Sequence, residues 1–407
     1  MAGVKWYAEG VFHRETVLGK EMSAKHVVTL VPGALIYSRL FAWKESFVVV
    51  GAEHAGLCVS TEFPQFIPDT ARVMPEFLYL FCTRPKTIEM VNAASVGSAA
   101  VSRNRFKEEE FLKLQMPLPP LAEQRAIVER WRSAQAQIAA ANQRMEKLKA
   151  SADSEFLNAL GFEISDRRTP PKVFAATWAG FSRWSVSFNQ QRLTGMNLEA
   201  GKFPLVSLDS LLTLVQYGTS EKANEQGRGV PILRIANIKD RALDMTDIKH
   251  IELPKKTLDG LIIKDGDTLI IRTSGSRDLV GTCAVFHGGE PAVFASYLIR
   301  LRFDPTRADP DFICWFLNSA LGRQQVDSIS RQIMQNNINS EEIRTLGVPL
   351  PPLVVQRKRV ERVAAARAEI AREREAAAKL SESIAAEVEA MILGTKPIPA
   401  DPSKKQP

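Results

Sequence analysis

Three groups of polar side chains in the second half of the sequence are of the types that recognise nucleic-acid bases. Arg and Lys donate hydrogen bonds to guanine, Asn and Gln pair with adenine, and basic or hydroxyl groups bind phosphate. One group follows a Gly-Arg-Gly turn, one lies in a glycine-punctuated loop, and one is a polar cluster; a solvated surface or turn role is the alternative for each residue. The candidates are Arg228, Arg234, Asn237, Lys239, Arg272, Ser274, Arg277, Gln332, Gln335, Asn336 and Asn337.

The first half of the sequence offers a smaller set of the same residue types. Arg39 and Lys44 follow an apolar run that begins after Gly33, and Arg103, Asn104 and Arg105 form a second group. Asn104 aligns with Asn336 in the repeat described below, which indicates either a shared contact or a shared structural turn. Recognition residues should differ between the halves if the halves read different sequences.

The sequence contains none of the usual catalytic motifs. There is no GxxxxGK[ST] phosphate loop, no HExxH and no [DNS]PP[YFW] tetrapeptide. Lys264, Asp265 and Asp267 have the residue types of a magnesium-dependent nuclease site, but their place between two apolar runs favours a polar hairpin turn. The four cysteines are far apart in the sequence, without metal-ligand spacing. We therefore predict no catalytic residues, no bound metal and four buried thiols.

Composition indicates an ordinary globular protein. Of 407 residues, 45% are hydrophobic and 24% are charged, and 53 Lys and Arg against 46 Asp and Glu give a net charge of +7. This surplus admits nucleic acid as a partner but is too small to decide the point. No apolar run approaches the ~18 residues that cross a bilayer, and the start lacks a signal pattern. We expect a cytoplasmic protein of two or three domains that does not bind a membrane.

The chain contains an internal repeat with a period of 232 residues. Residues 114–138 align with residues 346–370, and the aligned segments share a Pro-Leu-Pro-Pro-Leu hinge followed two residues later by Gln-Arg. Fainter echoes pair residues 33–36 with 266–269 and residues 75–78 with 310–313. Since the period is far too long for a solenoid, the repeat predicts two related units.

Each hinge is followed by a long amphipathic segment. From Ile127 to Ala152 apolar residues recur at alternating spacings of four and three, the heptad pattern of a coiled coil. The second segment shows a matching seam from Val363 to Met391, interrupted by Glu373 and Glu387. We predict an α+β fold with two strand-rich domains and two long helices packed antiparallel; an ordinary helical bundle is the alternative. A helix over residues 121–160 would be about 60 Å long, roughly 18 base pairs of B-form DNA.

These features together resemble the DNA-specificity subunits of Type I restriction-modification systems. The resemblance rests on the duplicated hinge at residues 117–125 and 349–357, the Gly-Asp-x-Leu-Ile run at 266–270, the Gln-Asn-Asn-Ile run at 335–338, and the helices that follow. It implies two target-recognition domains that read a bipartite double-stranded DNA sequence, with the helices setting the spacer between its parts.

The resemblance also implies partners and domain boundaries. Two methyltransferase subunits and ATP-dependent restriction subunits would dock on this non-catalytic chain, and would carry the S-adenosylmethionine, ATP and Mg²⁺. The implied order is a recognition domain at 1–120, a spacer helix at 121–160, a linker at 161–190, a second recognition domain at 191–352, a second spacer helix at 353–393 and a disordered tail at 394–407.

The first recognition domain is shorter than the family pattern. About 70 residues are missing before the first hinge relative to the second, and nothing in residues 1–32 matches residues 211–255. Half-site reading by this domain is therefore in question. The alternatives are an inactive remnant or coiled-coil scaffold without specific DNA binding, and a self-contained nuclease or methyltransferase, which the missing motifs oppose.

Overall fold

A computed structural model describes residues 1–5, 10–17, 26–95, 104–162, 173, 198–332 and 336–398. The predicted α+β class is confirmed, since two strand-rich units are present together with two helices of about 40 residues. One unit comprises Met1–Met145 with Arg372–Pro407, and the other comprises Glu146–Ala371. Within the described ranges, no helix combines the length and apolar character that a membrane crossing requires. Most of the linker predicted at 161–190 lies outside the described residues.

The first unit begins with seven short strands and continues with three short helices and part of a long one. The strands are β1 (Ala2–Val4), β2 (Val11–His13), β3 (Val27–Thr29), β4 (Leu35–Tyr37), β5 (Phe47–Val49), β6 (Cys58–Ser60) and β7 (Gln65–Phe66). The helices are α1 (Pro75–Cys82), α2 (Pro85–Ala94), α3 (Glu108–Phe111) and α4 (Leu121–Ala159), of which α4 enters the second unit after Met145.

The second unit has twice as many described strands. They are β8 (Leu205–Ser207), β9 (Leu212–Tyr217), β10 (Val230–Leu233), β11 (Ile238–Lys239), β12 (Ala242–Leu243), β13 (Lys249–Ile251), β14 (Thr268–Ile271), β15 (Thr273–Ser274), β16 (Cys283–Val285), β17 (Val293–Phe294), β18 (Leu298–Phe303), β19 (Arg331–Gln332), β20 (Asn336–Asn337) and β21 (Gly347–Pro349). Its helices are α5 (Lys255–Leu261), α6 (Pro310–Asn318), α7 (Ala320–Ile329), α8 (Ser340–Arg344) and α9 (Leu353–Ile392), the last ending in the first unit.

The repeat seen in the sequence is a repeat of strand pairing. In the first unit the order is β5-β4-β7, and Leu35 pairs with Val49 and Phe66. In the second unit the order is β16-β14-β18, and Thr268 pairs with Val285 and Leu301. The strand that follows the glycine turn is therefore central in both sheets, and it pairs with its two neighbours in the same register in both units.

A glycine precedes the central strand in both units because the turn requires a left-handed backbone. Gly33 has φ of 83° and Gly266 has φ of 81°. Residues with a Cβ meet a steric cost in this region, whereas glycine does not. The faint echo between residues 33–36 and 266–269 is thus explained by one shared turn and the strand behind it.

The two units differ in what surrounds this shared sheet. In the second unit β9 pairs antiparallel with β18 as a fourth strand, and β10 lies between β13 and β17 in a separate sheet. The described part of the first unit instead contains the pairs β1-β2 and β3-β6. The shared elements are therefore the three-stranded sheet and the helices after it.

The two long helices run antiparallel within each unit that contains them. In the first unit Arg130 of α4 bonds to Glu387 of α9, and Arg144 bonds to Glu373, each with N–O distances of 2.8 Å. The predicted apolar seam is confirmed, since none of its positions is exposed. The acidic interruptions of the seam are the two partners of these arginines. Their charges are paired across the helices, which explains why the seam tolerates them.

Asp267 belongs to the framework of the second unit. Its side chain is fully buried, accepts hydrogen bonds from Arg302 at 2.7 and 2.8 Å, and lies 3.6 Å from Arg300. It also accepts from the backbone N–H of Lys264 at 2.8 Å, which closes the predicted turn. The prediction of a hairpin was wrong in one respect: α5, not a strand, precedes the turn. Both carboxylate oxygens are occupied by the fold, as expected for a buried charge.

Candidate nucleic-acid interface

Two of the predicted polar groups in the second unit form one small sheet. β15 pairs with β20 through Thr273 with Asn337 and Ser274 with Asn336, and β20 pairs in turn with β19. The backbone N–H of Ile338 donates to the carbonyl of Arg272 at 2.8 Å and fixes this register. Residues separated by more than 60 positions in the sequence are thereby brought to one edge of the unit.

Arg272 is held at this edge by a network around its backbone and guanidinium. Its N–H donates to the carbonyl of Tyr297 at 3.0 Å, and its Nη1 donates to the carbonyl of Ser296 at 3.3 Å. The guanidinium carbon lies 5.0 Å from the centre of the Tyr217 ring, within cation–π range. Arg272 is therefore a positioned, half-buried side chain.

Two exposed tyrosines border Arg272, and neither was among the residues selected from the sequence. Tyr217 is 40% exposed and Tyr297 is 54% exposed. The hydroxyl of Tyr217 accepts a hydrogen bond from the backbone N–H of Ser340 at 3.0 Å, which secures the ring beside the small sheet. Tyr217 had a weak signal, a polar Gly-Thr-Ser run after an apolar strand; Tyr297 had none. An Arg flanked by exposed aromatic rings suits stacking on bases.

The asparagines of β20 contribute hydrogen-bonding groups to the same edge. Asn336 is buried, and Asn337 is half-buried with a side-chain Oδ1 that has no hydrogen-bond partner. A buried acceptor without a partner is uncommon in native proteins. Gln332 lies in β19 with its backbone paired to Asn336. Gln335, predicted in the same cluster, lies outside the described residues.

Ser274 and Arg277 complete the loop after β15. The hydroxyl of Ser274 accepts from the backbone N–H of Ser276 at 3.1 Å and so shapes the loop. Arg277 is more than half exposed, and its Nε lies 3.8 Å from Asp327. Such an exposed, loosely paired arginine suits a phosphate contact better than a fixed base contact.

The predicted group that flanks β10 has a different character, because Arg234 and Asn237 form hydrogen bonds within their own loop. Asn237 is buried, accepts from the backbone N–H of Arg234 at 3.0 Å, and donates to the carbonyls of Asp244 at 3.0 Å and Asp247 at 3.1 Å. Its amide therefore closes the 234–247 loop, and in this conformation it is not presented for base reading. Arg234 also donates to the carbonyl of Asp247, at 3.0 Å.

Lys239 and Arg228 are the exposed members of that group. Lys239 bonds to Asp244 at 2.6 Å, and its ammonium, together with Thr246, holds the pKa of the Asp244 carboxyl below its usual value. Arg228 is two-thirds exposed and lies 4.0 Å from Glu252. Both basic side chains thus have an acidic neighbour, and the pairs are of the weak surface type.

In the first unit, Arg39 takes the structural position of Arg272. The backbone N–H of Phe106 donates to its carbonyl at 2.9 Å, as Ile338 does to Arg272. The guanidinium of Arg39 is paired with Glu108. Burial opposes ionisation of Glu108, but Arg39 outweighs it and holds the pKa of that carboxyl below its usual value. Arg105 is paired with Glu62 through two N–O contacts of 3.1 and 3.3 Å.

The remaining candidates of the first unit are less constrained. The Lys44 ammonium lies 4.9 Å from the Trp43 ring centre. Asn104 is half-buried, and Arg103 lies outside the described residues. A cleft of about 620 Å³ that sequence reasoning missed lies near Arg39; it is lined by Gly3, Val4, Lys5, Phe12, Arg14, Ser38, Leu40, Phe41, Ser60, Glu62 and Phe63.

Geometry and repeat together define a class of protein: a duplicated α+β chain whose units share one three-stranded sheet, and whose second unit has an arginine- and tyrosine-lined polar edge. No family model matches the chain. One solved chain, from work on complex assembly and conformational transition of the type I R-M system, superposes with a TM-score of 0.53 at 18% identity, over 92% of this chain and 85% of that chain. That likeness supports the fold.

The sequence is similar to curated specificity subunits. The Type I restriction enzyme EcoKI specificity subunit of Escherichia coli (strain K12) is 28% identical over 275 residues, which are 67% of this chain and 54% of that protein. The StySPI specificity subunit of Salmonella potsdam is 28% identical over 274 residues, with the same two shares. These relatives confirm the resemblance to Type I specificity subunits. The chain spans about half the length of the curated relatives it matches.

Proposed function

We propose that this chain is the DNA-specificity subunit of a Type I restriction-modification complex in the cytoplasm. It binds a bipartite double-stranded DNA target, one part for each strand-rich unit. Two methyltransferase subunits and the ATP-dependent restriction subunits dock on it and carry out the chemistry. S-adenosylmethionine, ATP and Mg²⁺ belong to those partners, and this chain contributes no catalytic residue.

The observation that carries this proposal is the pairing of Ser274 with Asn336 in the sheet of β15, β20 and β19, with Arg272 bonded to Ile338 directly before β15. These residue types include both donors for guanine and amide groups for adenine. Base recognition needs side chains fixed in position, and the Arg272 guanidinium is fixed by Ser296 and Tyr217. The similarity to EcoKI and StySPI specificity subunits supports the same function.

In the second unit we assign two kinds of contact. Arg272 and the amides of Asn336 and Asn337 contact bases, because they are held by the small sheet. Arg277 and Arg228 contact phosphates, because they are largely exposed and only loosely paired. In the first unit Arg39, Lys44, Asn104 and Arg105 take the corresponding role. There, pairing of Arg39 and Arg105 with acidic residues means that DNA must compete with Glu108 and Glu62.

The proposal is tested by expressing the chain with the methyltransferase subunit of its own system and mapping N6-methyladenine across the host genome. We expect a bipartite asymmetric motif with a fixed spacer. A symmetric motif, or one with a single specified part, would mean that the first unit does not read DNA. No methylation, with an intact complex by size-exclusion chromatography, would favour an inactive remnant or a scaffold.

A variant pair sharpens this experiment. Asn336→Ala removes an amide from the proposed edge, whereas Lys256→Ala removes an exposed positive charge from α5 of the same unit. We expect the first substitution to reduce or relax methylation at one part of the motif, and the second to leave the motif unchanged. Equal effects of the two variants would remove the small sheet from the interface.

A further inference from the structure

One edge of β21, the strand that leads into the second hinge, is paired with β8. In β21, Val348 pairs with Val206 of β8. The pairing extends beyond the strand ends, since Leu208 N–H donates to the carbonyl of Leu346 at 2.7 Å and Leu350 N–H donates to that of Pro204 at 2.9 Å. The backbone groups of residues 346, 348 and 350 therefore face β8.

The backbone groups on the opposite edge of β21 are hydrogen-bonded by a side chain. Gln325 of α7 accepts from the N–H of Gly347 at 2.8 Å and donates to its carbonyl at 2.9 Å. The apolar side chains of the segment belong to the core of the second unit: Leu346 is 2% exposed and Val348 is fully buried.

The counterpart in the first unit, residues 114–118, lacks this covering. The described residues of that unit provide no strand paired to it. Leu114 and Met116 are only half-buried, and Leu118 is 44% exposed. Leu112, at the position of Arg344, is 71% exposed.

Among the described residues, the first unit also lacks a side chain in the role of Gln325. α2 and α7 are both ten residues long and follow matching helices, and Met90 stands at the position of Gln325. Met90 cannot bond to a backbone as Gln325 does, and it is 47% exposed. Residues 114–118 thus have no paired strand among the described residues, and exposed apolar side chains lie on the segment and on α2, a combination that favours addition of a strand.

We propose that residues 114–118 bind an extended segment of another polypeptide, which adds as an antiparallel strand as β8 does in the second unit. The chemistry of the occupant follows from β8: uncharged, with apolar residues at the alternate positions of Val206 and Leu208, which face the core there. A second copy of this chain is a poor donor, because each copy already uses its β8 to cover β21.

A labelled peptide of residues 203–211 serves as the probe, with a scrambled peptide as control, in fluorescence anisotropy titrations of the full chain. Leu118→Pro removes the N–H that corresponds to Leu350, which faces the added strand. Gln115→Pro removes the N–H that corresponds to Gly347, which faces away from it. Circular dichroism and thermal unfolding establish that both variants fold.

The expected result is saturable binding of the probe to the unaltered chain and to Gln115→Pro, weakened about tenfold or more in Leu118→Pro, as loss of a hydrogen bond at the edge implies. No saturable binding, or equal binding by both proline variants, would overturn the proposal; the latter would place the peptide elsewhere, including at β21. A concentration-dependent dimer that Leu118→Pro abolishes would also overturn it, in favour of self-association. None of these outcomes depends on DNA recognition.

Discussion

Gln124 and Gln356, which stand 232 residues apart, make the same three hydrogen bonds. The Oε1 of Gln124 accepts from the N–H of Met74 at 2.9 Å, and that of Gln356 accepts from Asp309 at 2.8 Å. Each Nε2 donates to a backbone carbonyl that lies just before a short helix of its own unit, α1 for Gln124 and α6 for Gln356, at 2.9 Å. It also donates to the carbonyl of a hinge proline at 2.8 Å. Each glutamine is fully buried and fastens the start of a long helix to its own unit.

Gln356→Ala should lower the free energy of unfolding by about 2–4 kcal/mol, because it leaves one partly buried backbone N–H and two carbonyls without partners. Gln124→Ala should have a similar effect. Gln137, exposed on α4, is the control, and Gln137→Ala should cost less than about 0.5 kcal/mol. Urea unfolding followed by circular dichroism measures all three. Equal stabilities of the three variants would contradict the fastening role.

The glutamines show what the sequence alone could predict. The repeat, the apolar seam and the helix bounds depend on local pattern, and the seam positions are withdrawn from solvent as predicted. The duplicated Gln-Arg was visible as well, but its purpose was not, because Gln124 bonds to Met74 and Gln356 to Asp309 across 50 and 47 positions.

The candidate interface was predicted less completely, because exposure there depends on strands distant in the sequence. Tyr297 becomes a candidate only from the structure, because it lies beside Arg272 where β14, β18 and β20 meet. Asn237 was chosen by residue type, and its internal role depends on closure of the loop onto Asp244 and Asp247. The roles of Gln335 and Arg103 stay predictions, since both lie outside the described residues.

Asp267→Asn should destabilise the second unit by about 3–5 kcal/mol, because it leaves the buried Arg300 without its counter-charge. The exposed neighbour Asp265 provides a matched control, and Asp265→Asn should change stability by less than about 0.5 kcal/mol. Chemical unfolding at neutral pH compares the two. A small effect at Asp267 would argue against a framework role.

Stability of the first unit should fall in acid partly through Glu387. Hydrogen bonds from Lys396 and Arg130 hold the pKa of the Glu387 carboxyl below its usual value. The stabilisation is therefore present above the unfolded pKa of about 4.3 and is lost as pH falls through the lower, folded value.

Glu387→Gln should reduce stability at pH 7 and make its decline between about pH 5 and pH 3 shallower. Urea unfolding at a series of pH values measures this, with Glu382→Gln, an exposed position of α9, as the control. A decline as steep as that of the unaltered chain would exclude Glu387 as a source of acid sensitivity.

Arg272→Ala and Asn336→Ala should each weaken binding of the assembled methyltransferase to its target DNA by about 1–3 kcal/mol, the range for loss of a base contact. Competition titrations on the motif found by methylation mapping, and on the same motif altered in one part, measure the loss. The variants should discriminate less between the two DNAs. A uniform loss on both DNAs would instead indicate phosphate contacts.

Tyr297 provides the sharpest separation between stacking and hydrogen bonding at this edge. Its ring is more than half exposed beside Arg272, so Tyr297→Ala should weaken DNA binding by about 1–3 kcal/mol if a base stacks on it. Tyr297→Phe keeps the ring and loses only the hydroxyl, and should bind as the unaltered chain does. If the Phe variant were as weak as the Ala variant, the hydroxyl would be the contact. If neither variant changed binding while Arg272→Ala did, the DNA would contact the arginine without reaching the exposed ring.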